Sequence, residues 1–217
     1  MLLAAGCWLA WPAEARAAAC PEADSMPTVS LETISGDVVY DTGRNRNELH
    51  RLQGRGGASS QGRGWHPIGL TQTELQFKMN IRVNTMLRPD RSHCASLSAV
   101  EASLGYERIT IYVDSRYRAG SCQYQSVLDH EHLHLAVFRD TLAVYAPEVE
   151  RRLGEAAGRL RPISARTPEQ AAARLQKALQ REMEPLFNEM NRRLDAENNR
   201  LDSEHNYRRE QARCSEW

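Results

Sequence analysis

The stretch Val127-Leu128-Asp129-His130-Glu131-His132-Leu133-His134-Leu135 constrains this chain more than any other. Placed at about 100° per residue on a helix, Val127, His130, Glu131, His134, Leu135, Phe138, Thr141, Leu142 and Tyr145 share one face. Asp129, His132, Ala136, Arg139 and Asp140 take the other. Two imidazoles and a carboxylate therefore fall inside the apolar stripe that the helix must bury. Burying them is costly unless they are paired or bound to a metal. The spacing His130-Glu131-x-x-His134 offers the second solution. Residues four apart lie on one helical face, so both imidazoles reach one zinc ion, and Glu131 stands beside the open coordination position, where it can take a proton from water. The bland alternative, core histidines hydrogen-bonded to backbone, suits a single His better than two with an intervening Glu. His132 lies outside the stripe and outside this chemistry.

The periodicity predicts this helix over about residues 124 to 146, ended by Pro147, with a further helical stretch from about Glu148 to Pro162. Upstream the chain reads as strands. Thr28 to Ile34 largely alternates polar and apolar, Ser35-Gly36-Asp37 is turn chemistry, and Val38-Val39-Tyr40 is expected to return as the second strand of a hairpin. Gly54 to Gly64 is rich in Gly, Ser and Arg and reads as a loop; no Lys-Ser/Thr follows at the spacing of a phosphate-binding loop. Leu75, Phe77, Met79, Ile81 and Val83 alternate at period two, a strand broken by Pro89-Asp90. Ala95 to Leu104 is ambiguous between a short helix and a strand. Arg108-Ile109-Thr110-Ile111-Tyr112-Val113 is β-branched and predicts a strand.

A long C-terminal helix is expected from Thr167-Pro168-Glu169-Gln170, where Thr is the N-cap and Pro the first helical residue, to about Gln211, with a kink at Pro185. Its apolar stripe is Leu179, Met183, Phe187, Met190, Leu194 and Leu201. Extended toward the C-terminus, the stripe brings Asn198 and His205 near its edge, puts Asp202 further round, and points Tyr207 outward. A catalytic zinc takes three protein ligands and a water. Glu148 and Glu150 lie about 20 Å along a continued helix from the motif and are disfavoured. His50, His66 and His93 fall in loop-like stretches. His205 is therefore the preferred third ligand, and Asp202 is the alternative ligand or the carboxylate that orients an imidazole.

Lys plus Arg equals Asp plus Glu at 28 each, which gives no argument for a nucleic-acid partner, and no apolar run reaches the length of a membrane span. The apolar run from Met1 to Trp11 with Ala17-Ala18-Ala19 reads as a signal peptide over residues 1–19, cleaved before Cys20, although a basic start is missing. The same Ala-Ala-Ala-Cys run resembles a lipoprotein cleavage box, but the Leu three residues before the Cys is absent, which argues against lipidation. The export signal implies a periplasmic or secreted protein. Cys20, Cys94, Cys122 and Cys214 then suggest two disulfides, with three pairings open. Cys94 with Cys122 would close a local loop and leave Cys20 for Cys214. No C-x-x-C occurs, so a Cys-ligated metal is disfavoured.

Three pieces of the chain carry a family resemblance: Ile109-Thr110-Ile111-Tyr112-Val113, Gly120-Ser121-Cys122-Gln123-Tyr124, and His130-Glu131-x-x-His134. Together they resemble the core of small exported bacterial zincins, secreted zinc-dependent proteases. Leu201-Asp202-Ser203-Glu204-His205-Asn206 is similar to their C-terminal Asp followed by Thr-x-His-Gly, with Ser203 in place of the Thr and Asn206 in place of the Gly. The resemblance covers about residues 105 to 214. It implies a zincin-like α+β fold: N-terminal antiparallel strands over residues 28–117, then an active-site helix and a long C-terminal helix within 122–212, all in one domain over 20–217. It also implies an edge strand, Arg108 to Val113, that pairs with an extended peptide or protein substrate. Zn²⁺ would be held by His130, His134 and His205 or Asp202. Glu131 would activate water at the zinc as the catalytic base, and Tyr124 or Tyr112 would stabilise the oxyanion. The competing expectation is a non-catalytic periplasmic binding or envelope-assembly protein on the same fold, its Arg- and Glu-rich C-terminal helix serving a partner.

Overall fold

The computed structural model describes residues 19–55 and 67–217. The expected leader up to residue 18, most of the Gly54–Gly64 stretch and His66 lie outside them. The described elements are β1 (Thr28–Ile34), β2 (Asp37–Asp41), α1 (Arg46–Arg55), β3 (Gly69–Leu87), β4 (His93–Val113), α2 (Cys122–Arg159), β5 (Ile163–Ala165), α3 (Pro168–Leu201) and α4 (Glu204–Gln211). They form a mixed α/β architecture with an open five-stranded sheet.

The sheet is built on β4. β3 pairs with it antiparallel along its whole length, from Gly69 opposite Val113 to Leu87 opposite His93. The reversal at Arg88–Ser92 is closed by the Asp90 carboxylate, whose Oδ1 accepts from the Ser92 N–H at 3.0 Å, and by Arg91 at φ 64°. With one edge of β4 so occupied, the other takes β1, β2 and β5. β1 runs parallel to it from Ala99 to Gly105, β2 parallel from Arg108 to Tyr112, and β5 antiparallel from His93 to Ala95. The β1–β2 hairpin expected from Ser35-Gly36-Asp37 is therefore corrected. Both strands point the same way and follow each other along one edge of β4. Glycines make the step between them. Gly105 has φ +148°, and a Cβ on it would meet the Ile34 carbonyl oxygen at 1.9 Å, while Gly36 at φ +79° packs on Tyr106. The expectation of antiparallel N-terminal strands holds for β3 and β4 and fails for β1 and β2.

β4 also shows why Ala95 to Leu104 was ambiguous. Its buried side chains sit at Ala95 and Leu97, then Val100, Ala102, Leu104 and Tyr106, then Ile109, Ile111 and Val113. The parity changes twice. Each change coincides with a register shift against β3, between Arg82 and Val83 and between Thr73 and Leu75, where β4 carries one extra residue. These β-bulges re-phase the strand so that every apolar segment faces the helices. β3 keeps an unbroken alternation. On the opposite, wet face Lys78 pairs with Glu107 and Arg82 with Glu101.

Helices α2 and α3 cover the apolar face. One core joins Leu104, Tyr106 and Ile109 of β4 with Leu135, Leu142, Val149 and Leu153 of α2 and Leu179, Met183 and Met190 of α3. The expected end of α2 at Pro147 is corrected, because the helix passes through this proline to Arg159. The lost hydrogen bond and ring clash cost about 3 kcal/mol. Val149, Leu153, Ala156 and Ala157 beyond the proline are all at most 1% exposed, and their packing offsets that cost. α3 likewise passes through Pro185, with Thr167 as its N-cap accepting from the Gln170 N–H. It ends at Leu201, ten residues before the expected terminus at Gln211.

Two disulfides tie the ends down, Cys20–Cys94 and Cys122–Cys214. This corrects the local Cys94–Cys122 pairing: β4 carries Cys94 to the far end of the hairpin, while Cys122 opens α2 at the end where β4 finishes. Paired disulfides fit an oxidising, exported environment. Among the described residues no helix is long and apolar enough to cross a membrane.

Candidate metal centre

The stripe anticipated on α2 is the buried one. Val127, His130, Glu131, His134, Leu135, Thr141, Leu142 and Tyr145 are all buried, and so is Ser126. His132 turns away to meet the Tyr40 hydroxyl on β2 at 3.0 Å. His130 and His134 aim their Nε2 atoms at one another, 3.1 Å apart, and at one oxygen of Asp202. Asp202 Oδ1 lies 3.2 Å from His130 Nε2 and 3.1 Å from His134 Nε2. Among the described residues, His130, His134 and Asp202 form the one set whose ligand atoms gather within 4.8 Å.

The outward ring nitrogens are held as well. His130 Nδ1 meets Glu210 Oε1 at 2.9 Å, and His134 Nδ1 meets Asn198 Oδ1 at 2.8 Å. Glu210 Oε1 and Asn198 Oδ1 are acceptors, so these contacts assign the proton to each Nδ1. In a neutral ring each Nε2 then presents a lone pair to the centre, and in a protonated ring it donates to Asp202 Oδ1. Two lone pairs and a carboxylate oxygen at such range repel unless a proton or a cation sits among them. A tetrahedral zinc with bonds of about 2.1 Å separates its ligand atoms by about 3.4 Å, close to the spacing found here. The donor set, two imidazole nitrogens and one carboxylate, is one that zinc takes with an open fourth position.

The electrostatics agree. Burial works against a charge on His130, but hydrogen bonds to Asp202 and Glu210 outweigh it and raise its pKa to about 10. His134 is raised in the same way, against burial, by Asp202 and Glu131. Burial opposes the charge on Asp202 too, yet the hydrogen bonds from both histidines hold it well below the usual carboxylate range. The two histidines hold a proton firmly, and a divalent cation at the same place would have to displace it, while Asp202 stays ionised. Glu131 behaves differently: burial pushes its carboxyl up, against the pull of His134 and His130. Its Oε2 lies 2.8 Å from the Thr71 hydroxyl, which is also 3.0 Å from the Glu131 carbonyl oxygen. Thr71 stands opposite Ile111 and Gly69 opposite Val113, so both present to α2 the face that those buried residues share.

Of the two candidates for third ligand, the structure brings Asp202 to the histidines and leaves His205 exposed. The preference for His205 is thus corrected, and the reason is a helix break. Asp202 caps α3, its N–H bonded to the Asn198 carbonyl, and Ser203 is extended at φ −71°, ψ 146° before α4 begins. An uninterrupted helix would have advanced about 100° per residue through this point; the extended residue resets the phase. Tyr207, expected to point outward, instead donates to Asp202 Oδ1 at 2.7 Å. Glu210, three residues on and on the same face of α4, was not anticipated. Asn198 was placed at the stripe edge without a role. Once α4 is recognised as a separate helix, the i, i+3 relation of Tyr207 and Glu210 is the signal that finds both. His50 sits on α1 and His93 at the start of β4, both away from the cluster. The expected edge strand is also corrected: Arg108 to Val113 is flanked by β2 and β3 and is internal. Comparisons with protein-family models, with curated proteins and with solved structures found no match, so the centre is read from its own geometry.

Proposed function

We propose that the protein is an exported zinc-dependent peptide hydrolase with a zincin-like site. The observation that carries this reading is the convergence of His130 Nε2, His134 Nε2 and Asp202 Oδ1 beside the buried carboxylate of Glu131. Zinc, when bound, polarises the scissile carbonyl and acidifies water. His130, His134 and Asp202 would hold it, and Glu210 and Asn198 would fix the two rings.

Glu131 is the base in this scheme. Its carboxylate takes a proton from the attacking water as the new C–O bond forms. It returns that proton to the leaving nitrogen as the C–N bond breaks. A carboxyl held at raised pKa in a buried site suits both transfers, and Thr71 limits its rotation. The substrate backbone has a place to lie. Among the described residues β3 pairs only with β4, so its other edge carries no described strand, and Gly69 and Thr71 near its start rest against Glu131. An extended peptide adding to that edge would pass over the metal position.

The test is to purify the mature protein, measure bound zinc, and compare peptide hydrolysis by wild type and Glu131→Gln. Stoichiometric zinc, with hydrolysis lowered by about 10²-fold or more in the variant, is the expected outcome. Absence of zinc after loading and gentle desalting would sink the reading. Zinc held without hydrolysis would favour the non-catalytic binding protein instead.

A further inference from the structure

Tyr207 is the one tyrosine among the described residues with a hydroxyl on a ligand atom. Its phenol donates to Asp202 Oδ1, the oxygen on which both Nε2 atoms converge. Its ring lies over His130, with centroids 5.1 Å apart and planes tilted by 33°. The helix that carries it is fixed at both ends. Asp202 and Ser203 join α4 to α3, Glu210 holds His130, and the Cys122–Cys214 disulfide ties the following residues to the start of α2. Glu131 is held on another flank of the same position, against β3.

We propose that Tyr207 is a catalytic residue that donates a hydrogen bond to the oxyanion formed at the scissile carbonyl. This rests on the reading of the site as a peptide hydrolase. The need follows from the chemistry. As water adds, the carbonyl oxygen gains negative charge that the zinc would share, while Glu131 and Asp202, the carboxylates beside the metal position, are acceptors and cannot stabilise it. Tyr207 brings a donor to the same spot. Rotation about its Cζ–O bond turns the proton from Asp202 to the oxyanion without moving the ring, and no bond to tyrosine forms or breaks. The other tyrosines considered from sequence are placed elsewhere. Tyr112 alternates with the buried Ile111 and Val113 and so lies on the sheet face away from α2. Tyr124 sits in the first turn of α2, about 9 Å along the axis from His130.

The experiment compares wild type and Tyr207→Phe, both zinc-loaded, on a fluorogenic peptide that wild type cleaves and on the phosphinic analogue of that peptide. Phe keeps the ring against His130, and a melting curve matching wild type verifies the fold. A preorganised donor of this kind is worth about 10²- to 10³-fold in kcat. The expected result is a fall in kcat of that size with zinc content and KM near wild type, and a matching fold-loss in affinity for the tetrahedral phosphinate. Unchanged kcat, or a loss that excess zinc restores, would overturn the proposal and leave Tyr207 as a positioning residue for Asp202. If zinc-loaded wild type cleaves no peptide and binds no phosphinate, the hydrolase reading fails and Tyr207 falls with it. If wild type cleaves and the variant matches it, only the Tyr207 assignment fails.

Discussion

A Cβ on Gly69 would lie 2.4 Å from Oε1 of Glu131 and 2.6 Å from Cγ1 of Val127, so the backbone of β3 rests directly on the proposed base. Nothing larger than hydrogen fits there. Gly69→Ala is expected to destabilise the fold by about 1–3 kcal/mol, as overpacking does, and to displace the Glu131 carboxylate. Hydrolysis should fall further than bound zinc, since the three ligands lie on other residues. Denaturant unfolding and zinc analysis of the same sample check both; equal losses of zinc and activity would point to general collapse of the site.

His205 and Asp202 are separated by three positions and have opposite expected effects. His205→Ala should retain zinc at wild-type affinity. Asp202→Ala should lose more than the 10- to 100-fold typical of an outer-sphere partner, and Glu210→Gln should fall within that range. Competition with a chromophoric chelator measures all three. Retention of full affinity by Asp202→Ala would remove it from the ligand set.

The metal-free protein should respond to pH through His130. Its ordinary value is 6.5, and folding raises it to about 10. The charged form is thus favoured by the fold, and that stabilisation is complete below 6.5 and lost as pH rises through about 10. Zinc loading must expel the same proton, so affinity should climb with pH over this window. Chelator-treated protein should melt at progressively lower temperature from pH 6.5 to 10, while zinc-loaded protein changes little. Identical slopes in the two series would contradict the assignment.

The Cys122–Cys214 bridge closes a span of 92 residues and anchors the segment that follows α4. Replacing both cysteines with serine should cost about 4 kcal/mol of stability and weaken zinc binding, because Glu210, which holds His130, precedes Cys214 by only a few residues. Thermal melts with and without zinc separate these effects. The Cys20–Cys94 pair lies toward the other end of the hairpin, and its removal should lower the melting temperature without changing zinc affinity.

The centre was legible where a single element encodes it. His130, Glu131 and His134 could be assigned to one buried face from periodicity alone, because a helix converts sequence spacing directly into direction. Asp202 required knowing where α3 stops. No glycine or proline marks that point; one extended serine does, and the C-terminal side of it is re-aimed. The sheet was legible in β3, whose alternation is unbroken, and obscure in β4, where two bulges shift the phase. The parallel pairing of β1 and β2 had no local signal, since Ser35-Gly36-Asp37 is good turn chemistry and the step on Gly105 is set by a strand about 70 residues away. Pro147 misled for the opposite reason. Its intrinsic penalty is real, and it is outweighed by packing that only the folded chain supplies.

Every strand of the sheet pairs with β4, and this dictates an order of events during folding. The β3–β4 hairpin needs only a five-residue reversal, Arg88–Ser92, and can form from local contacts. β1 and β2 have no partner until β4 exists and must close loops spanning some seventy residues before they gain any hydrogen bond, a cost that grows with separation. Asp202 reaches His130 and His134 across a comparable distance and from the end of the chain. The His130, His134 and Asp202 cluster is therefore assembled among the last contacts made. Substitutions in the hairpin core, such as Ile111→Val, should slow folding, whereas changes at Asp202 should chiefly speed unfolding. A metal captured there acts as a latch on the finished molecule and leaves the rate of reaching it unchanged.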